Sequence, residues 1–150
     1  MSYAALRKGR FSEAQRAYFI TCVLADRRSA LFADLFLVRQ VVAEMRRLHE
    51  AGLVNSLAWV VMPDHIHWLL QLENQIELAG IMKSFKARSA LAINRRLGRH
   101  GPLWQKAYHD HALRDGEDPY ATARYIAANP LRAGLVQDIG DYPHWDAAWL

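Results

Sequence analysis

The nineteen residues VNSLAWVVMPDHIHWLLQL, Val54 to Leu72, constrain this chain more than any other stretch. Two apolar, β-branched and aromatic runs flank the dipeptide Pro63-Asp64, so each run reads as a strand and the pair as a tight antiparallel hairpin. Side chains alternate across a strand. His65, His67, Leu69 and Gln71 therefore share one face, and Ile66, Trp68, Leu70 and Leu72 share the other. The second set is wholly apolar and calls for helices to cover it. The first carries two imidazoles projecting in parallel, about 7 Å apart at their Cα atoms. That pair has two readings: ordinary residues of a half-wet strand face, or two neutral ligands for a divalent cation that must also grip a phosphate.

The rest of the chain supplies the layers around this hairpin. RAYFITCVLA (Arg16 to Ala25) reads as a strand. Ser29 is expected to cap a helix running from Ala30 to Ala51, with Leu31, Leu35, Val38, Val42, Met45 and Leu48 at helical spacing and Gly52 as its stop. A second long helix is expected from about Ile76 to Leu97, and Leu103 to Arg114 alternates as a fourth strand. DGEDPYATARYIAANP opens with acidic residues and a proline, as a helix N-terminus should, and must stop near Asn129 because Pro130 disfavours helix in the residue before it. The order β-α-β-β-α-β-α predicts an α+β fold: a ferredoxin-like, RRM-like antiparallel four-stranded sheet with helices, plus a C-terminal helix. The absence of repeats, low-complexity tracts and Pro/Gly-rich linkers predicts a single domain over residues 1–150.

Composition narrows the function classes. A lone cysteine, Cys22, rules out an internal disulfide framework and a multi-thiol zinc site, and it fits a reducing compartment. No stretch is long and apolar enough to predict a membrane span, and the N-terminus does not read as a signal peptide, so a cytoplasmic location is expected. The formal net charge of +4 and pI near 9.5 favour a polyanionic partner.

The final helix brings a second pair of interest. Tyr125 and Asn129 are four residues apart, which stacks them on one helical face, and Ala121 and Thr122 on or near that face are small enough to leave access. Tyrosine is a nucleophile when its site activates it, and an amide oxygen can complete a metal shell. Equally, Tyr125 fits a core-edge aromatic and Asn129 an ordinary helix C-terminal residue before proline.

Taken together, MPDHIHWLL, LWQKAYHDHALRDGED, ARYIAANPLRAGLV and the terminal YPHWDAAWL resemble the REP-associated tyrosine transposases, host-encoded relatives of the single-tyrosine insertion-sequence transposases. The likeness begins at GRFSEAQRAYFIT and covers nearly the whole chain. It implies that His65 and His67 are metal ligands in a His-hydrophobe-His motif, that Tyr125 is the nucleophile, and that Asn129 fills a third ligand position held by glutamine or asparagine in relatives. The implied cofactor is Mg2+ or Mn2+. The implied reaction is metal-dependent cleavage and joining of single-stranded DNA at palindromic repeat hairpins through a 5′-phosphotyrosine. The implied partner is a hairpin flanked by a short recognition sequence, bound by a monomer or homodimer near the nucleoid.

Residues suited to holding that DNA are Arg7, Lys8 and Arg10 in an N-terminal arm that also carries Phe11, then Lys83, Lys86, Arg88 and Arg95 on the second helix, then Lys106, His109 and His111. Asp64 is expected to cap the hairpin turn with its side chain away from both histidines. Tyr142, Trp145 and Trp149 are expected to clasp the chain end onto the domain. Two other functions fit the residues: a hairpin-binding module of the same fold that does not turn over, and a metal-dependent hydrolase that uses water.

Overall fold

A computed structural model describes residues 16–73 and 76–148. Five antiparallel strands form one sheet in the order β4-β1-β3-β2-β5, namely β1 (Ala17–Val23), β2 (Val54–Met62), β3 (His65–Leu72), β4 (His109–Ala112) and β5 (Trp145–Ala147). The first four strands take the expected ferredoxin-like arrangement, and β5 adds a fifth strand on the free edge of β2. Pro63-Asp64 makes the two-residue turn of the β2–β3 hairpin, with Met62 opposite His65. A bulge at Leu57 breaks the register between Ser56 and Ala58 and turns that leucine into the interior.

The two faces of the sheet carry different cores. α1 (Leu35–Glu50) and α2 (Leu78–Leu97) cover one face, where Leu37, Val41, Met45, Ile81, Met82 and Phe85 meet Ile20, Ile66, Trp68, Leu70 and Leu72. α3 (Pro119–Ala127) covers part of the other, packing Ala123 and Ile126 on Leu57, Ala58, Val60, Met62 and Leu69. Two buried tryptophans of the first core pair their ring N–H with serine hydroxyls. Trp68 Nε1 donates to Ser56 Oγ at 2.9 Å, and Trp104 Nε1 donates to buried Ser89 Oγ at 2.9 Å.

Three local expectations change. Ser29 caps no helix: residues 27–29 and 31–33 form two 3-10 turns joined at Ala30, whose φ of 46° is left-handed, and Asp34 caps α1 by accepting from Phe36 N at 2.8 Å. The fourth strand is shorter than Leu103–Arg114. Trp104 makes only an isolated bridge to Leu24, and Lys86 Nζ bonds the carbonyls of Gln105 and Lys106, both at 2.9 Å, holding that segment on α2. The last helix stops at Ala127 as the proline requires, but the chain re-enters a helical turn at once as α4 (Asn129–Arg132).

The clasp is borne out in part. Tyr142 Oη donates to Val61 O at 2.7 Å and Trp145 begins β5, while Trp149 lies outside the described residues. Among the described residues, no helix is long and apolar enough to cross a membrane.

Candidate active site

His65 and His67 stand at the start of β3 on the face shared with α3, as the alternation predicts. Their ring centroids are 4.8 Å apart. Each ring is anchored through Nδ1. His65 Nδ1 lies 2.7 Å from Asp64 Oδ1, and His67 Nδ1 lies 2.8 Å from Thr21 Oγ1, its register partner on β1. A carboxylate only accepts, so His65 Nδ1 carries the proton of that bond and Nε2 is the ring nitrogen left outside it. The bond to Thr21 likewise leaves Nε2 of His67 as the available nitrogen. Burial holds the His67 imidazole down to about 4, helped by the charges of His65 and Arg132, so the ring is neutral at ordinary pH. Imidazoles anchored at one nitrogen leave the other for a metal, and the two Nδ1-anchored rings therefore fit a divalent cation.

The anchoring overturns one expectation. Asp64 does not point away from both histidines. It lies in the turn, where strand alternation does not apply, and folds back onto the ring of its neighbour. Its other oxygen accepts from Arg27 Nε at 2.8 Å. Burial alone would raise the Asp64 carboxyl, but the bonds from His65 and Arg27 outweigh it and hold the group below its ordinary value. Sequence alternation missed both Asp64 and Thr21. The register of β1 on β3 is the signal that reveals Thr21.

Tyr125 comes to the same face from α3. Its ring centroid lies 6.1 Å from that of Phe19 in an edge-on contact, and Phe19 in turn lies 5.2 Å from His67. The side chain is 50% exposed, and its hydroxyl makes no hydrogen bond among the described residues. Asn129, half-buried, opens α4 one turn later, across the break at Ala128. Among the described residues no three His, Cys, Asp or Glu side chains cluster as a metal cage.

The family described as IS200-like transposases matches residues 14–129. A relative from Haemophilus influenzae, a REP-associated tyrosine transposase by name, is 30% identical over 137 residues, which is 85% of this chain and 77% of the relative. The chain belongs to this family. The REP-associated tyrosine transposase of Escherichia coli K12 is 27% identical over 128 residues, covering 84% of this chain and 73% of its own. Among solved structures, a REP-associated tyrosine transposase bound to a REP hairpin superposes with a TM-score of 0.76 at 23% identity, covering 97% of this chain and 82% of that one. A protein from Deinococcus radiodurans R1 described as a transposase superposes at 0.56 with 19% identity, covering 93% and 99%. Both share the fold.

As a tyrosine transposase, the protein is a DNA-processing enzyme, and its basic residues fall into distinct groups. Lys83, Lys86 and Lys106 line one open groove of about 470 Å³ with Trp104 and Tyr108, on the α2 side of the sheet. Lys86 is committed to loop carbonyls there and lies 5.7 Å over the Tyr108 ring. Arg88 instead pairs with Glu44 of α1 at 3.0 Å, a bond between helices. Arg95 is exposed in the last turn of α2. His109 and His111 are exposed on β4, and His111 Nε2 lies 3.0 Å from Glu117 Oε1, tying that strand to the turn before α3. Arg7, Lys8, Arg10 and Phe11 lie outside the described residues.

Proposed function

We propose that this transposase cleaves and rejoins single-stranded DNA beside repeat hairpins, with Tyr125 as the nucleophile. The observation that carries the reading is one cluster: two anchored imidazoles joined through Phe19 to a half-exposed tyrosine whose hydroxyl is unbonded among the described residues. The solved relative bound to a REP hairpin supports the same substrate class for this chain.

Tyr125 Oη attacks the scissile phosphorus, giving up its proton as the new O–P bond forms. The P–O3′ bond breaks, and the departing oxygen becomes a 3′-hydroxyl, leaving the 5′ end of the DNA on the tyrosine. Another 3′-hydroxyl can reverse the step, because the phosphotyrosine linkage keeps the energy of the broken phosphodiester. His65 and His67 through Nε2, with the Asn129 amide oxygen, would hold Mg2+ or Mn2+. When bound, such an ion polarises the phosphate and neutralises charge that grows in the transition state. Asp64 and Thr21 fix the orientation of the two imidazoles. Lys83 and Lys106 offer positive charge to DNA phosphates and Tyr108 an aromatic face to a base.

The test is a labelled single-stranded hairpin from the host genome, incubated with protein and Mn2+ and run on a denaturing gel. A protein-linked band lost in Tyr125→Phe and on chelation is the expected result. Cleavage that survives Tyr125→Phe would mean a water-using hydrolase, and tight binding without cleavage would mean a hairpin-binding module.

A further inference from the structure

Arg132 ends α4, seven residues after Tyr125 and beyond the break at Ala128. Its guanidinium carbon lies 3.8 Å from the centroid of the Tyr125 ring, and its Nη2 donates to Tyr125 O at 2.7 Å. A cation near the end of a helix often does no more than cap orphaned carbonyls. Capping explains the 2.7 Å bond but not the stacking. Both contacts fall on one residue: the guanidinium covers the aromatic ring while one N–H holds the backbone that carries it. Phe19 supplies a second, edge-on contact to the same ring. The ring is thus held by its neighbours while its hydroxyl stays free.

Arg132 is exposed, and a guanidinium has five N–H donors, so others remain open to a phosphate oxygen at the same place.

We propose that Arg132 is the positioning residue of the nucleophile, fixing the Tyr125 ring for attack and setting a cation against it. The proposal rests on Tyr125 being the nucleophile. A planar guanidinium does this better than an ammonium, because it stacks and donates in one geometry.

The experiment is single-turnover formation of the protein–DNA adduct by the full chain, with a single-stranded repeat hairpin and Mn2+. Wild type is compared with Arg132→Ala, Arg132→Lys and Tyr125→Phe. Arg132→Ala is expected to lower the maximal rate about 100-fold, with little change in the half-saturating DNA concentration. Arg132→Lys is expected to lose about tenfold, and added methylguanidinium to restore part of the Arg132→Ala rate. A wild-type rate in Arg132→Ala, or a loss confined to the half-saturating concentration, would overturn the proposal. If Arg132→Ala does not fold, a folded Arg132→Lys running at the full rate overturns it instead. Adduct formation by Tyr125→Phe defeats the reading of Tyr125 itself, whatever the arginine variants do.

Discussion

On β3, Ile66, Trp68, Leu70 and Leu72 are completely buried beneath α1 and α2, while His65, His67 and Gln71 at the intervening positions stay partly open beside α3. The same strand therefore serves two purposes, one per face. Two long helices, of 16 and 20 residues, seal the first face, whereas the nine residues of α3 leave part of the second uncovered. The contrast extends to two tyrosines. Tyr142 donates its hydroxyl to Val61 O, and burial pushes its phenol up to about 12. Tyr125 is half-exposed, with its hydroxyl unbonded among the described residues. The sealed face keeps its core residues from water; on the proposed function the chemistry belongs to the open face, because a reactive group must reach substrate.

The sharpest way to break that division is Trp68→Ala. Removing this fully buried side chain and its bond to Ser56 is expected to cost about 3–5 kcal/mol, read from urea unfolding. Adduct formation per folded molecule should survive. A loss below about 1 kcal/mol would show that the sealed face does not carry the stability.

The open face should show its own signature in pH. The folded His67 value of about 4 lies below the ordinary 6.5, so between these values the unfolded chain binds more protons. Stability in chelator should therefore rise with pH from about 4 to 6.5 and be complete above it, with a total change of about 3 kcal/mol. In His67→Gln that slope should shrink, and an unchanged slope would locate the titrating group elsewhere.

Asp64→Ala sharpens the comparison further, since the carboxylate acts only on the open face. Mn2+ affinity measured by calorimetry should fall about 10–100-fold. Unchanged affinity would leave Asp64 as the partner of Arg27 alone. The smallest effect belongs to Tyr142→Phe, which should cost about 1 kcal/mol through the lost bond to Val61 O and leave cleavage intact. Lost cleavage in that variant would extend the site to the C-terminal segment.

Much of the fold was legible because the hairpin pattern is strong. Alternation on β3 sorted every residue to its face, and Pro63-Asp64 located the turn. What failed were places where tertiary contacts overrode local pattern. The helix expected from Ala30 begins only at Leu35, because a left-handed Ala30 joins two 3-10 turns and the cap moves from Ser29 to Asp34. Leu103 to Arg114 alternates throughout, yet only His109–Ala112 form a strand: Leu103 to Gln105 meet the end of β1 through an isolated bridge and two backbone bonds, and Lys86 takes up the carbonyls of Gln105 and Lys106. β5 has only three residues, too few for a period to show. At the site, residue type and spacing singled out His65, His67 and Tyr125, and only the resemblance to a family gave them roles. Asp64, Thr21, Phe19 and Arg132 emerge only from register, turn geometry and the break between α3 and α4.

The central claim is that the open face presents Tyr125 as the attacking group. The most direct test is to trap the protein–DNA adduct, digest both polymers and locate the modification by mass spectrometry. A nucleotide carried through phosphate on the peptide containing Tyr125 is the predicted result. The same mass on a different residue, or cleavage that leaves a free 5′-phosphate and an unmodified Tyr125 peptide, would contradict it.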